Sequence, residues 1–296
     1  MDNQDAFLRY LKAEKNYSAH TITAYRKDIQ DFVQHCKEKY QLQNLTKVHY
    51  AIIRDFVVAL SQKGLAMRSI NRKCVALNSF YTYLLSIDEI TSHPLERHKA
   101  LKAKKAFIVP FGIDEVEKVL SSVDTTTFSG LRDAVAIELL YTTGMRQSEL
   151  IGLKISDVDW AQQQLRVLGK RNKERLVPLL SSVLETLKTY CKQRDILPQA
   201  TKHQYLLVTD NGKKTYATFV YRLIKTYFSG VSSRIRTSPH VLRHSFATHM
   251  LDAGADINVV KEILGHESLA ATQEYTKVQL PKVQDAYRAA HPRAKK

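Results

Sequence analysis

Apolar residues recur at helical spacing along most of this chain, and the spacing changes to that of strands only around residues 164–208. That pattern confines the fold to a mainly α class with a small sheet. A helix must bury a stripe of period 3.6, whereas a strand buries every second side chain. Ser18 can cap a helix whose apolar face carries Ile22, Tyr25, Ile29 and Phe32. A second helix is expected over residues 48–61, stopping at Gly64, and a third begins near Ala66 with Ile70, Cys74, Leu77, Tyr81 and Leu84 on one face. Further on, Leu131, Val135 and Leu139 define a helix ended by Gly144. Residues 164–168 and 175–179 flank the polar turn 169–174 and read as an antiparallel hairpin, with 205–208 as a candidate third strand.

A chain of 296 residues suits two domains. The basic run His98-Lys99-Ala100-Leu101-Lys102-Ala103-Lys104-Lys105 falls between Pro94 and Pro110, and like charge bounded by prolines reads as a linker. The expected division is therefore a helical bundle over 1–97, a basic linker over 98–110, and a second, mostly helical domain over 111–296.

Charge narrows the partner. The chain holds 45 Lys and Arg against 29 Asp and Glu, a net charge of +16. The excess is divided evenly, +8 in residues 1–105 and +8 in 106–296, so both parts can touch a polyanion, as two jaws of a clamp would. The third helix sets Arg68, Arg72 and Lys73 beside Ser69 and Asn71 on its polar face. Such a face suits a DNA groove, where cations meet phosphates and amides meet base edges. No stretch approaches the ~18 apolar residues of a membrane span. The acidic, polar start Met1-Asp2-Asn3-Gln4-Asp5 is neither a secretory signal nor a transit peptide. Cys36, Cys74 and Cys191 form no C-x-x-C pair and read as reduced thiols, so a cytoplasmic protein is expected.

The chemistry concentrates in residues 238–275. Ser238 and Pro239 start a helix with Leu242, Phe246 and Met250 as its buried stripe and Gly254 at its end. His240 and Arg243 then lie at or near its first turn, where free N–H groups and the helix dipole already attract phosphate and an Arg adds a bidentate fork. A shorter helix, from about Asp256 to Leu264, ends at Gly265 and leaves His266 on a turn. His240 and His244 have metal-ligand spacing, but there is no H-E-x-x-H, and Arg243 would repel a cation, so no metal is expected.

The set of motifs resembles the tyrosine recombinase (integrase) family. The matching pieces are His240-Val241-Leu242-Arg243-His244, Leu264-Gly265-His266 and Tyr275-Thr276, preceded by Thr143-Gly144-Met145-Arg146-Gln147-Ser148-Glu149-Leu150 and by the lysine hairpin around Lys170. They stand in the family's order, and Asn16-Tyr17-Ser18 with Thr21-Ile22 and Tyr25-Arg26 looks like the family's core-binding domain, a SAM-like helical bundle. The resemblance is greatest to the Xer chromosome-dimer resolvases. About 105 residues precede the catalytic part, room for one core-binding domain, and His291-Pro292-Arg293-Ala294 also looks Xer-like. Gln147 and Arg171 depart from the pattern, standing where relatives often carry an aliphatic residue and a glycine.

The resemblance implies a site-specific recombinase with Tyr275 as nucleophile, Arg146 and Arg243 as phosphate clamps, His266 as a further donor, His240 as proton acceptor, Lys170 as the acid for the leaving oxygen, and Glu149 as an accessory residue. It implies a 3′-phosphotyrosyl intermediate on double-stranded DNA with paired half-sites and a homo- or hetero-tetramer on that DNA. It also admits a second recombinase and a DNA translocase as further partners. No cofactor is called for: fixed cations stabilise the phosphoryl transition state, and the stored phosphodiester bond removes the need for ATP. The apolar positions Val278, Leu280, Val283 and Tyr287, with Pro281 expected to break the preceding helix, give the tail 278–296 an apolar face that can fold back in cis or dock on a neighbour, and the resemblance implies an interaction tail that docks in trans. The alternatives are a mobile-element integrase of the same family, a type IB topoisomerase, and a DNA-binding regulator without catalysis.

Overall fold

The computed structural model describes residues 3–102, 108–169, 173–231, 237–265 and 279–295. The chain divides into two compact units, Met1–Ala106 and Phe107–Lys296. No helix among the described residues is long and apolar enough to cross a membrane.

The first unit is a four-helix bundle of α1 (Asn3–Ala13), α2 (Ala19–Tyr40), α3 (Tyr50–Gln62) and α4 (Met67–Ser86). The Ser18 hydroxyl accepts from the Thr21 amide at 3.2 Å, and Gln41 in the left-handed region closes the far end of α2. The predicted apolar stripes meet in one core, where Phe7, Phe32, Ile53, Leu77 and Phe80 are fully buried. Burying each such side chain stabilises by roughly 1.5–3 kcal/mol.

The polar face predicted for the third helix is corrected at one position, Lys73; Arg72 stays exposed. Lys73 is 5% exposed and is held by Asp28 at 3.0 Å and Asp31 at 2.5 Å, both on α2. Arg72 also pairs with the buried Asp28. The Asn71 amide is taken by the backbone N–H and carbonyl of Leu101, at 2.9 and 2.8 Å, which fastens the start of the basic segment to α4. Arg68 is exposed. Lys73 is drawn inward across the α2–α4 packing, because leaving the buried Asp28 carboxylate unpaired costs more than withdrawing the ammonium from water.

The second unit contains α5 (Ile113–Ser122), α6 (Phe128–Thr143), α7 (Gln147–Gly152), strands β1 (Val158–Asp159), β2 (Gln164–Leu168) and β3 (Glu174–Pro178), then α8 (Ser181–Arg194), α9 (Ala217–Phe228), α10 (Pro239–Asp252), α11 (Ile257–Leu264) and α12 (Gln279–Ala290). Helix α6 is buried on nearly every side, Arg132 and Glu138 included, and packs on α8 and α10. The hydroxyls of Thr142 and Thr143 bond back to the carbonyls of Glu138 and Leu139, so their burial leaves no orphan donor.

The antiparallel sheet has the order β1-β2-β3, with Leu165 opposite Val177 and Val167 opposite Arg175. The hairpin is thus where the sequence places it, but the third strand is not. Residues 205–208 make only isolated bridges, Lys154 to Tyr205 and Val208 to Lys214, and β1 pairs with β2 instead. A run of apolar residues without a partner edge enters the core without joining the sheet, and Leu206 and Leu207 do so here.

Pro281 lies within α12, and the preceding segment it was expected to end, before residue 279, lies outside the described residues. The tail's apolar face is not left for a neighbour among the described side chains. Val283, Tyr287 and Ala290 are buried in their own unit's core, and the Tyr287 hydroxyl donates to the Thr142 carbonyl at 3.0 Å.

Candidate active site

The site grows from the end of α6. Gly144 adopts φ +59°, and a Cβ there would lie 2.4 Å from the Phe246 ring and 2.7 Å from Leu264. Only glycine lets α6, α10 and α11 approach this closely. The chain then turns through the buried Met145 to Arg146, which is the N-cap of α7. Glu149, three residues on, reaches back: its Oε2 accepts the Arg146 backbone N–H and its Oε1 accepts Nη1 of the same residue, both at 2.8 Å. The Arg146 side chain remains 36% exposed, so a rigid base presents a half-open guanidinium.

Arg243 lies in α10, on the helix that Ser238 and Pro239 begin. Its guanidinium donates to the Gly144 carbonyl at 2.5 Å and to the Leu264 carbonyl at 2.7 Å. It therefore joins the ends of α6 and α11. Burial, and next the neighbouring Arg146 charge, push its pKa down to about 10, which still leaves it protonated at neutral pH. His240 is exposed one turn earlier on the same helix.

Arg175, on β3, was not singled out from the sequence. It is buried, donates to both Glu149 oxygens at 3.1 and 2.7 Å, and gives its Nε–H to the Ile263 carbonyl at 2.7 Å. Burial alone would raise the Glu149 pKa, but the Arg175 bonds and then Arg146 outweigh it and hold the carboxyl below its ordinary range. The signal for Arg175 was present in the strand alternation. It occupies an inward position with Leu165, Val167 and Val177, and an arginine there needs a buried acid.

Three guanidinium groups thus face one carboxylate among the described residues, an arrangement with spare positive charge that suits an added anion. The structure brings together Arg146, Glu149 and Arg243. Lys170, His266 and Tyr275 lie outside the described residues, as does Arg171. Arg68, Arg72 and Lys73 belong to the first unit. Gln147 bonds through its amide to the Ala217 carbonyl at the start of α9.

A mostly helical catalytic unit with a three-stranded antiparallel sheet, preceded by a SAM-like bundle and holding a paired-arginine site, defines a recombinase class of fold. Residues 111–280 match the phage integrase family, and residues 5–87 match the phage integrase N-terminal SAM-like domain. The chain is 36% identical to the tyrosine recombinase XerC of Staphylococcus haemolyticus, over 99% of this chain and 98% of that protein. It is 34% identical to the tyrosine recombinase XerD of Halalkalibacterium halodurans, over 99% and 98%. Among solved structures it resembles the XerH site-specific recombinase bound to its difH substrate, with a TM-score of 0.68, 23% identity, and coverage of 94% of this chain and 83% of that one. The Tn1549 transposon integrase in complex with transposon DNA superimposes with a TM-score of 0.71 at 19% identity, covering 95% and 98%, a likeness of fold. The chain belongs to the phage integrase family, and it is an enzyme of the tyrosine recombinase type.

Proposed function

We propose that this enzyme cuts and rejoins double-stranded DNA at paired half-sites and that its cellular task is the resolution of chromosome dimers. The observation that carries this reading is the Arg146 and Arg243 pair, fixed by Glu149 and by carbonyls of α6 and α11, with more cationic than anionic charge. A phosphodiester is an anion whose transition state gathers charge on its non-bridging oxygens, and two preset forks stabilise that charge without reorganising. Tyr275 supplies the nucleophilic oxygen. Its bond to phosphorus forms as the bond to the 5′ oxygen breaks, His240 accepts the phenol proton, and Lys170 protonates the departing oxygen. His266 donates a further hydrogen bond to the phosphate. The 3′-phosphotyrosyl bond keeps the phosphodiester energy, so religation by a 5′ hydroxyl needs no nucleotide.

Residues 1–97 serve as the core-binding domain, with Arg68 as a candidate phosphate contact, and 98–110 as the joining segment. Recombination requires four strand cuts, and each protomer has one nucleophile, so four protomers assemble on two duplexes. The tyrosine recombinases XerC and XerD among the relatives support the recombinase reading; the chromosomal task carries with it a cytoplasmic location, a partner recombinase and a translocase.

The test begins with DNA recovered from the enzyme in its host. Half-sites at one chromosomal locus, cleaved in vitro in the presence of EDTA, are the expected result. Half-sites confined to the ends of a mobile element would move the enzyme to transposition, and cleavage that needs added Mg²⁺ would refute the metal-free chemistry.

A further inference from the structure

The buried Arg175 has no role in the phosphoryl transfer as drawn, yet it touches both sides of the arginine pair. On one side its Nη atoms grip Glu149, the carboxylate that fixes the backbone and side chain of Arg146. On the other, its Nε–H holds the Ile263 carbonyl, adjacent to the Leu264 carbonyl held by Arg243. Gly265 gives it room: a Cβ there would come within 3.1 Å of the Arg175 Cδ and 3.2 Å of its Nη1. Two arginines therefore cap successive carbonyls at the negative end of α11.

We propose that Arg175 is a positioning residue that sets the distance and angle between the Arg146 and Arg243 guanidinium groups. The proposal rests on the reading that those two groups hold the scissile phosphate. Stability alone does not account for Arg175. A buried Arg–carboxylate pair is often no more stabilising than apolar residues of the same size, because desolvation offsets the attraction. What it supplies is one rigid connection between elements that apolar packing would leave free to shift. A phosphate clamp depends on that geometry, since a displacement of about 1 Å can cost about a hundredfold in rate.

The experiment uses the full-length protein and a nicked half-site duplex that traps the covalent product. Single-turnover cleavage at saturating DNA, half-site Kd and Tm are measured for wild type, Arg175→Lys and Arg175→Met. Arg175→Lys keeps the charge but cannot reach Glu149 and Ile263 together. It is expected to fold and bind within about twofold of wild type while cleaving about a hundredfold more slowly. Arg175→Met gives a second readout. Among the described residues, the charged groups facing Glu149 are Arg146 at the start of α7, Arg175 on β3 and Arg243 on α10. Without Arg175, burial raises the Glu149 carboxyl, and cleavage should fall on the acid side of neutrality where wild type does not. Arg175→Met combined with Glu149→Gln should lose that acid limb. Wild-type cleavage by folded Arg175→Lys overturns the proposal. So does a rate loss that follows Kd and Tm in step with no new acid limb. Unchanged cleavage by Arg146→Ala and Arg243→Ala would instead refute the phosphate reading itself, whatever Arg175 does.

Discussion

Arg243 spends two of its donors on the protein's own carbonyls, and the position of its fork is set before DNA arrives. Arg243→Ala should slow cleavage by about 10²–10³-fold, the usual loss when one preset transition-state donor is removed. Half-site Kd should change little, because affinity comes from many phosphates. Single-turnover rates and anisotropy titrations check both, and equal losses in rate and affinity would make Arg243 only a binding residue. Asp28 makes another kind of pair, fully buried and held by Lys73 and Arg72. Asp28→Asn leaves the Lys73 ammonium undercompensated and is expected to cost about 3–5 kcal/mol in chemical denaturation. Arg146, Glu149, His240 and Arg243 could be read from the sequence because each sits in a short motif with a glycine or a helix start beside it. Strand alternation turns Arg175 inward, but neither its partner nor that of Lys73 can be read from the sequence. Each is a cation drawn inward by an acid remote in sequence, Glu149 for one and Asp28 for the other, and one-dimensional spacing does not display such pairs.

Helix α12 shows how an element's fate depends on what it meets. Its apolar face was legible, but its destination was not, because the same stripe fits a neighbour or its own core. In this chain it lies against α10 and α11, and the segment beyond it brings His291 into contact with Tyr141, Phe246 and Tyr287. Arg293 follows, 3.2 Å from Glu138. Burial pushes the His291 pKa down to about 3, with Arg293 adding to the effect, and burial lowers His249 as well. The unfolded chain then binds protons that the folded one does not, between the ordinary histidine value of about 6.5 and the folded value. Stability from these groups is complete above about pH 6.5 and is lost as pH falls below it. Glu138, whose pKa burial raises, works in the other direction, so the comparison must be between variants. Melting curves from neutral to mildly acid pH should fall less for His291→Gln than for wild type. Identical slopes would remove His291 as the cause. The misplaced third strand has a similar explanation, since period and composition mark residues 205–208 as strand-like but do not reveal that Val158 and Asp159 reach the open edge of β2 first.

At the scale of the molecule, charge and chemistry are separable. The net charge of +16 is shared between the two halves of the chain, so affinity should fall steeply with salt, by about 0.9 in log K per log unit of salt for each phosphate contacted. Cleavage of bound DNA should be far less sensitive, because the Arg146 and Arg243 clamp is partly buried and screened little. Binding isotherms and single-turnover rates across a salt series separate the two, and parallel decline would argue against a preset clamp. The central claim is narrower still: one tyrosine of 15 becomes the covalent link to DNA. The direct measurement is to trap wild-type protein on a nicked half-site duplex in EDTA, digest it, and locate the nucleotide-bearing peptide by mass spectrometry. The account predicts a 3′-phosphotyrosyl nucleotide on Tyr275 and no adduct from Tyr275→Phe. A nucleotide on any other residue, or an adduct that survives the substitution, would contradict it.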